Sequence, residues 1–330
     1  MTSDISTPPY QPDRIFSING LKIGQATDLQ GMTGVTVLRF DNGATCAVDV
    51  RGAAPGTRET DLLRPENLVD KVHAIVLGGG SAFGLAAMTG VTDCLAEQKI
   101  GFQTEGGCIP IVTGAILYDL TIGSPDSRPD SNMGKRAALS ASRKNLTEGN
   151  IGAGTGATVG KVMGTELATK SGLGTFCLTK DNLVVAAIIA VNAWGDVIKN
   201  GKVIAGSRTP DNQGFINSKE AILSGRDKPA FSGQNTTIGT IITNATLSKS
   251  QALKVAQMAH DGYSRAINPV HTLYDGDTIF AAATGEIEQS DTNLIGIMAA
   301  EVVEIAIHRA VLAAESKAGI PAITDLSSIT

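Results

Sequence analysis

Apolar and polar residues alternate through Val35-Thr36-Val37-Leu38-Arg39-Phe40 and again through Ala44-Thr45-Cys46-Ala47-Val48-Asp49-Val50, with the turn-forming Asp41-Asn42-Gly43 between them. That pattern predicts a β-hairpin over Gly34 to Arg51. His73 to Leu77 is an apolar run too short for a helix and predicts a buried strand. Gly78-Gly79-Gly80 then supplies a bend, and Ser81 to Gln98 predicts a helix burying Phe83, Leu85, Ala86, Val91 and Leu95. A strand from Ile111 to Leu120 and a helix from Met133 to Arg143 flank the Pro/Asp/Ser loop Ser124 to Ser131. Strand, glycine bend, helix is an α/β pattern.

Thr175 to Thr179, Leu183 to Val191 and Val197 to Ala205 predict a three-stranded meander. Its middle strand is apolar at every position, so it needs cover on both faces and belongs inside a multilayer structure. Gly206 to Gln234 is polar and rich in Gly and Pro, and predicts an exposed connector with one short helix at Ser218 to Leu223. It leads into Asn235-Thr236-Thr237-Ile238 and the strand Ile238-Gly239-Thr240-Ile241-Ile242. Ser248-Lys249-Ser250-Gln251 is a capping-box sequence before a helix with one apolar face, and Leu294 to Ser316 predicts a second long helix.

The chain has 330 residues, 42% of them hydrophobic, enough for a large core, while 38 glycines and only 4% aromatics point to aliphatic packing with many tight turns. Net charge is −5, from 27 basic and 32 acidic residues without a Lys/Arg cluster, which argues against a nucleic-acid partner. Cys46, Cys94, Cys108 and Cys177 form no Cys-x-x-Cys pair and Met1 to Arg14 lacks a signal-peptide core, so a reducing cytoplasm is expected. Apolar runs fall short of the ~20 residues of a membrane span. The four histidines, His73, His260, His271 and His308, have no i, i+4 spacing, so no metal site is expected.

Two nucleotide motifs fail on inspection. Gly154 to Lys161 has Thr155 and Val162 where a P-loop needs Gly and Ser/Thr, and Phe83 stands where the dinucleotide and hydrolase-elbow patterns after Gly78 need Gly. What the Gly78–Gly80 bend still offers is backbone N–H groups for an anion or oxyanion.

Asn235-Thr236 carries the chemistry. If the bond between them breaks, the Thr236 hydroxyl becomes a nucleophile and its freed α-amine, which ordinarily titrates near ~7.7–8.0, becomes the base that activates it. Two carboxylates follow in Asp275-Gly276-Asp277, on one side of the chain if the backbone is extended. On the residues alone, the same fragments also fit a β-branched strand start and an Asp-Gly turn.

Ala47-Val48-Asp49-Val50-Arg51-Gly52, Ala115-Ile116-Leu117-Tyr118-Asp119, Asn235-Thr236-Thr237-Ile238 and His271-Thr272-Leu273-Tyr274-Asp275-Gly276-Asp277-Thr278-Ile279-Phe280 stand in an order and spacing that resembles the autoprocessing β-aminopeptidases, a family that includes L-aminopeptidase/D-alanyl esterase-amidases. Within it the chain is most similar to the nylon-oligomer hydrolases, and the likeness spans nearly the whole chain. The resemblance implies one α/β domain over 1–330, a four-layer αββα sandwich of the N-terminal-nucleophile-hydrolase kind. It further implies self-cleavage into 1–235 and 236–330, roughly 24 and 10 kDa, which stay together and assemble as a tetramer of such pairs.

Carried over by position, the resemblance implies Thr236 as nucleophile and Asn235 as the residue before the scissile bond. Asp275 and Asp277 are then the carboxylates orienting the Thr236 hydroxyl and amine. Lys161 is the active-site lysine whose cation disfavours protonation of that amine, Asn192 the amide donor to the oxyanion, and Tyr118 a tyrosine lining the site. On sequence alone a surface lysine, a turn-forming Asn and a core Tyr describe the last three equally well. The aminopeptidase branch usually carries a Ser nucleophile and a Ser/Glu pair, so Thr236 with two Asp favours the nylon-hydrolase branch.

The function expected is therefore cofactor-free hydrolysis of small linear amides: 6-aminohexanoate oligomers, short peptides or β-aminoacyl amides. An acyltransferase of the ornithine-acetyltransferase type and a non-catalytic binding protein on the same fold are the alternatives. Transfer to an added amine distinguishes the first, and an intact, inert chain the second.

Overall fold

A computed structural model describes residues 12–144, 146–228, 235–288 and 291–326. Nine strands form its main sheet: β1 (Leu21–Asp28), β2 (Thr33–Val50), β3 (Gly56–Arg58), β4 (Lys71–Gly78), β5 (Val112–Ile116), β6 (Leu173–Lys180), β7 (Leu183–Asn192), β8 (Thr236–Ala245) and β9 (Thr278–Ile287). The α-helices are α1 (Ala86–Glu97), α2 (Ser131–Ser140), α3 (Ser218–Leu223), α4 (Lys249–Ala266) and α5 (Thr292–Leu312). Strand order is β6-β7-β8-β9-β2-β4-β5-β3, with β1 also on β2.

The predicted hairpin over Gly34 to Arg51 is instead the single strand β2. Arg39 pairs with Ala74 and Ala44 with Val72, so β4 runs past Asp41-Asn42-Gly43 on both sides and the intervening residues form a bulge, with Gly43 at φ +72°. The other edge of β2 takes β1 along Thr33 to Phe40 and β9 along Thr45 to Val50. Long-range partners for both halves outcompete the local turn, and β2 carries one sheet from one layer into the next.

Period-2 alternation sorts the core. On β7, Val185, Ala187, Ile189 and Val191 pack with α4 and α5 through Val255, Ala259, Val302 and Val303. The other face, Val184, Ala186, Ile188 and Ala190, joins Ile238, Ile242 and Phe280 against Leu38, Phe40, Ile75 and Leu77. Behind these, Val35, Val37, Ala74 and Val76 meet Met88, Val91 and Leu95 of α1 and Met133 and Ala137 of α2. The layers therefore run α4/α5, sheet half, sheet half, α1/α2, the expected αββα sandwich. Each large aliphatic side chain in the middle layer contributes ~1.5–3 kcal/mol by leaving water.

Two further expectations are corrected. Asp196–Lys199 and Lys202–Ala205 form a hairpin in a separate sheet with Ile267–Asn268, and β7 takes β8 as its second neighbour. Buried Asp196 turns the chain away, its carboxylate accepting from Ser207 N–H (3.1 Å), Ser218 N–H (2.7 Å) and Ser218 Oγ (2.6 Å). Phe83 is 55% exposed beneath the Arg128 guanidinium, because Ser81–Leu85 is a 3-10 turn that presents a different face from an α-helix. The capping box forms as predicted on Ser248 and Gln251. In the connector α3 spans Ser218–Leu223, and the predicted stretch 229–234 lies outside the described residues. No helix among the described residues is long and apolar enough to cross a membrane.

Candidate active site

Strand β8 opens with Thr236 in the middle of the sheet, between β7 and β9, so the residue is only 3% exposed. Its antiparallel register partner is Asn192, the last residue of β7. Asn235 makes a parallel bridge with Asp275, and its carbonyl oxygen accepts from Gly276 N–H at 2.9 Å. The Thr236 hydroxyl donates to the same carbonyl oxygen. The carbonyl ahead of Thr236 is thus held between a backbone donor and the side chain that follows it. Gly276 is required there: a Cβ would lie 2.8 Å from Thr236 Oγ1 and 2.6 Å from Ala54 O.

Asp275 and Asp277 are each 1% exposed, so their charge is sustained only by donors. Asp277 Oδ1 accepts from Thr237 N–H (2.8 Å), and Oδ2 from His271 N–H (3.0 Å) and lies 2.8 Å from His271 Nδ1. Asp275 Oδ1 accepts from Trp194 N–H (3.3 Å), and Oδ2 from Thr272 N–H (3.2 Å) and Thr272 Oγ1 (2.6 Å). Burial, and then the neighbouring Asp277, pushes the Asp275 carboxyl up to about 6. Among the described residues neither carboxylate bonds Thr236 directly; Asp277 grips Thr237, and Asp275 grips Trp194 and Thr272.

Lys161 reaches Asn192 rather than Thr236. Its Nζ donates to Asn192 O (3.1 Å) and Asn192 Oδ1 (2.7 Å), and Thr158 N–H donates to the same Oδ1 (3.1 Å). The Lys161 amine, a donor in either protonation state, therefore fixes which way the amide points: oxygen toward Lys161, NH₂ away. One of those hydrogens goes to Tyr118 O at 2.8 Å, and the other has no acceptor among the described residues. Burial pushes Lys161 down to about 7 against the opposing pull of Asp275 and Asp119.

A cavity of about 110 Å³ lies beside Thr236, lined by Ala54, Pro55, Gly56, Ser81, Ala82, Ile116, Tyr118 and Thr236, without a charged side chain. A larger concavity of about 470 Å³ around Asn212, Lys317 and Ile320 contains none of the candidate residues. Thr236, Asn235, Asp275, Asp277, Asn192, Lys161 and Tyr118, dispersed over the sequence, thus meet at one end of β7 and β8. No cluster of His, Cys, Asp or Glu suited to a metal occurs among the described residues.

Sequence reasoning missed several neighbours. Buried Asp119 accepts from Gly80 N–H (2.7 Å) and Thr33 Oγ1 (2.8 Å), and a Cβ at Gly79 would lie 1.9 Å from its Oδ2. The bend's N–H groups are already committed, Gly79 to Gly34 O and Gly80 to Asp119 Oδ1, as is that of Ser81 to Leu117 O, so the bend offers no anion hole, and only Ser81 and Ala82 beyond it line the cavity. Thr272 and His271 hold the two carboxylates, and their position just ahead of Asp275 was the available signal.

The model of peptidase family S58 matches residues 13–323. An uncharacterized aminopeptidase of Mycobacterium leprae is 40% identical over 340 aligned residues, covering 93% of this chain and 92% of its own length. A 6-aminohexanoate-oligomer endohydrolase of Paenarthrobacter ureafaciens is 31% identical over 281 residues, 84% of this chain and 76% of that protein. Among solved structures, the L-aminopeptidase D-Ala-esterase/amidase of Ochrobactrum anthropi, a variant of the Ntn-hydrolase fold, aligns with a TM-score of 0.74 at 16% identity, covering 98% of this chain and 94% of its own. A β-aminopeptidase of a Burkholderia species aligns at 0.67 with 20% identity, over 95% and 91%.

Proposed function

This chain belongs to peptidase family S58 and is a hydrolase of amide bonds, and we propose that it becomes active by breaking its own Asn235–Thr236 bond, after which Thr236 attacks small linear amides. The observation that carries this reading is the Asn235 carbonyl itself, hydrogen-bonded at once by Gly276 N–H and by the Thr236 hydroxyl. Attack of Oγ1 on the Asn235 carbonyl carbon forms a C–O bond, the Gly276 N–H stabilises the developing oxyanion, and the C–N bond breaks as the Thr236 nitrogen takes up a proton. Water then opens the ester, leaving a carboxylate on Asn235 and a free amine on Thr236.

In turnover the amine accepts the Thr236 hydroxyl proton, the substrate acyl group forms an ester on Oγ1, and the substrate amine leaves with that proton. Water deprotonated by the same amine then opens the ester, releasing the acid and restoring the hydroxyl. The unused Asn192 N–H then serves the substrate's oxyanion, with Lys161 holding the amide the right way round. Asp275 and Asp277 fix the strand end that carries both groups. The small cavity without a charged side chain favours the methylene part of a compact acyl chain, which suits an aminohexanoyl or β-aminoacyl chain whose amine stays outside the cavity or is itself acylated. That the Paenarthrobacter relative is a 6-aminohexanoate-oligomer endohydrolase supports the aminohexanoyl reading.

The fragments 1–235 and 236–330 should stay together, because β8 remains paired from Val185–Thr243 to Asn192–Thr236 on one side and with β9 on the other. Assembly as a tetramer of such pairs belongs to the same proposal and is read by light scattering on the purified protein. So does a cytoplasmic location, consistent with four free thiols.

Hydroxylamine added during turnover tests the acyl-enzyme. The wild-type protein should release the acyl hydroxamate and Thr236→Ala none; equal hydroxamate from both would exclude Thr236 as the acylated residue. Ranking kcat/KM over aminohexanoate oligomers, β-aminoacyl anilides and short peptides then assigns the substrate.

A further inference from the structure

We propose that His271 is a positioning residue of this reaction, acting on Thr236 by locking the Asp277 carboxylate; the inference rests on the reading of Thr236 as nucleophile. His271 puts two of its atoms on one carboxylate oxygen: its N–H lies 3.0 Å and its ring Nδ1 2.8 Å from Asp277 Oδ2. It does so from a left-handed backbone at φ +57°, a conformation that strains a residue bearing a Cβ and persists only where the surroundings impose it. With Oδ2 occupied twice, the carboxylate cannot rotate, and Oδ1 alone is left for Thr237 N–H at the entrance of β8.

A carboxylate only accepts, so the contact assigns a hydrogen to His271 Nδ1. Nε2 is buried and has no hydrogen-bond partner among the described residues, so a hydrogen placed there would be a buried, unpaired donor. The ring is held from α4: His260 meets it edge-on at 4.7 Å between centroids and Tyr263 stacks at 5.8 Å. His260 Nε2 is itself 3.1 Å from Asp49 O on β2, and the Tyr263 hydroxyl donates to Thr237 O at 3.3 Å. Thr237, the residue directly after the nucleophile, is therefore gripped at its N–H by Asp277 and at its C=O by Tyr263. His271 completes a clamp that runs from β2 and α4 to the start of β8.

Two full-chain variants separate positioning from mere packing. His271→Asn tolerates φ > 0 and keeps a side-chain N–H near the place of Nδ1, whereas His271→Gly relieves the backbone strain and removes the donor. The expected result is self-cleavage and kcat within about threefold of wild type for His271→Asn, but a loss of about tenfold or more in both for His271→Gly, with KM little changed. A purely structural histidine predicts the reverse order or no difference, and either result overturns the proposal.

Should the glycine variant not fold, ¹⁵N NMR of the wild-type protein decides. The proposal requires a hydrogen on His271 Nδ1, and a bare Nδ1 with the hydrogen on Nε2 refutes it. Wild-type protein run alongside keeps the two readings apart: an uncleaved but active wild type would remove Thr236 as the nucleophile, whatever the His271 variants do.

Discussion

Asn192 and Thr236 face each other as register partners across the antiparallel pair of β7 and β8, although 44 positions separate them in the sequence. The pairing brings an amide whose oxygen is claimed by Lys161 to the residue proposed to attack substrate. One N–H of that amide is left unused, and in the proposed reaction it serves the oxyanion.

Truncating that amide should therefore act on the transition state. Asn192→Ala is expected to lower kcat by about 10²–10³-fold, the range seen when one oxyanion donor is removed, with a much smaller change in KM. Steady-state kinetics on one amide substrate measures this. A variant that loses only affinity would assign Asn192 to ground-state binding.

Self-cleavage and turnover should titrate differently. Asp275 is pushed up to about 6 by burial and then by Asp277, and only its ionised form can accept from Trp194 N–H, Thr272 N–H and Thr272 Oγ1 together. Acid protonates it, so self-cleavage of freshly made precursor should slow with a slope of one as pH falls below about 6. Turnover also needs the unprotonated Thr236 amine, an extra ionisation ordinarily near ~7.7–8.0, so its acid limb should be steeper. Superimposable profiles, or self-cleavage that is flat down to pH 5, would contradict this assignment.

Gly276 packs directly against the Thr236 hydroxyl. In Gly276→Ala the added methyl would sit 2.8 Å from Thr236 Oγ1 and 2.6 Å from Ala54 O, displacing the hydroxyl from the Asn235 carbonyl. Self-cleavage should fall by at least about 100-fold, since a misplacement of about 1 Å carries that penalty. Circular dichroism separates this from unfolding, and a folded variant that cleaves at the wild-type rate would show that the contact is idle.

How much of this was legible beforehand follows the range of the interactions. The chemistry proposed for Asn235-Thr236 and the Asp275-Gly276-Asp277 pair came from the family resemblance as much as from the residue types, which alone also fit a strand start and a turn, whereas the capping box at Ser248 is local by nature and forms as expected. Asp41-Asn42-Gly43 misled because turn propensity is local, whereas the pairing of β2 with β4 and β9 is not. β7 was assigned the wrong second neighbour for the same reason, since β8 begins far along the chain. His271 was invisible as a clamp because its left-handed backbone, which aims it at Asp277, has no sequence signature outside Gly, Asn and Asp.

Lys170 makes a prediction about stability. It is fully buried, donates to Ala157 O (2.8 Å) and Ser171 O (2.6 Å), and is pushed down to about 7 by burial. Between about 7 and 10.5 the unfolded chain thus binds a proton that the folded chain does not, so the Lys170 contribution improves as pH rises through that window. Lys170→Met leaves two buried carbonyls without a donor and should melt lower. The gap to wild type should widen from pH 7 toward 10, by up to about 1.4 kcal/mol per pH unit, on the order of 2–4 °C. Calorimetry at several pH values measures the gap, and one that stays constant or narrows would mean that Lys170 keeps its proton when folded.

The central claim concerns a single bond. Intact-mass spectrometry of freshly purified active protein, beside Thr236→Ala prepared identically, should find two polypeptides ending at Asn235 and beginning at Thr236 in the first and one uncut chain without turnover in the second. Full-length wild-type polypeptide with undiminished activity, or cleavage at Asn235 in the alanine variant, would contradict the account.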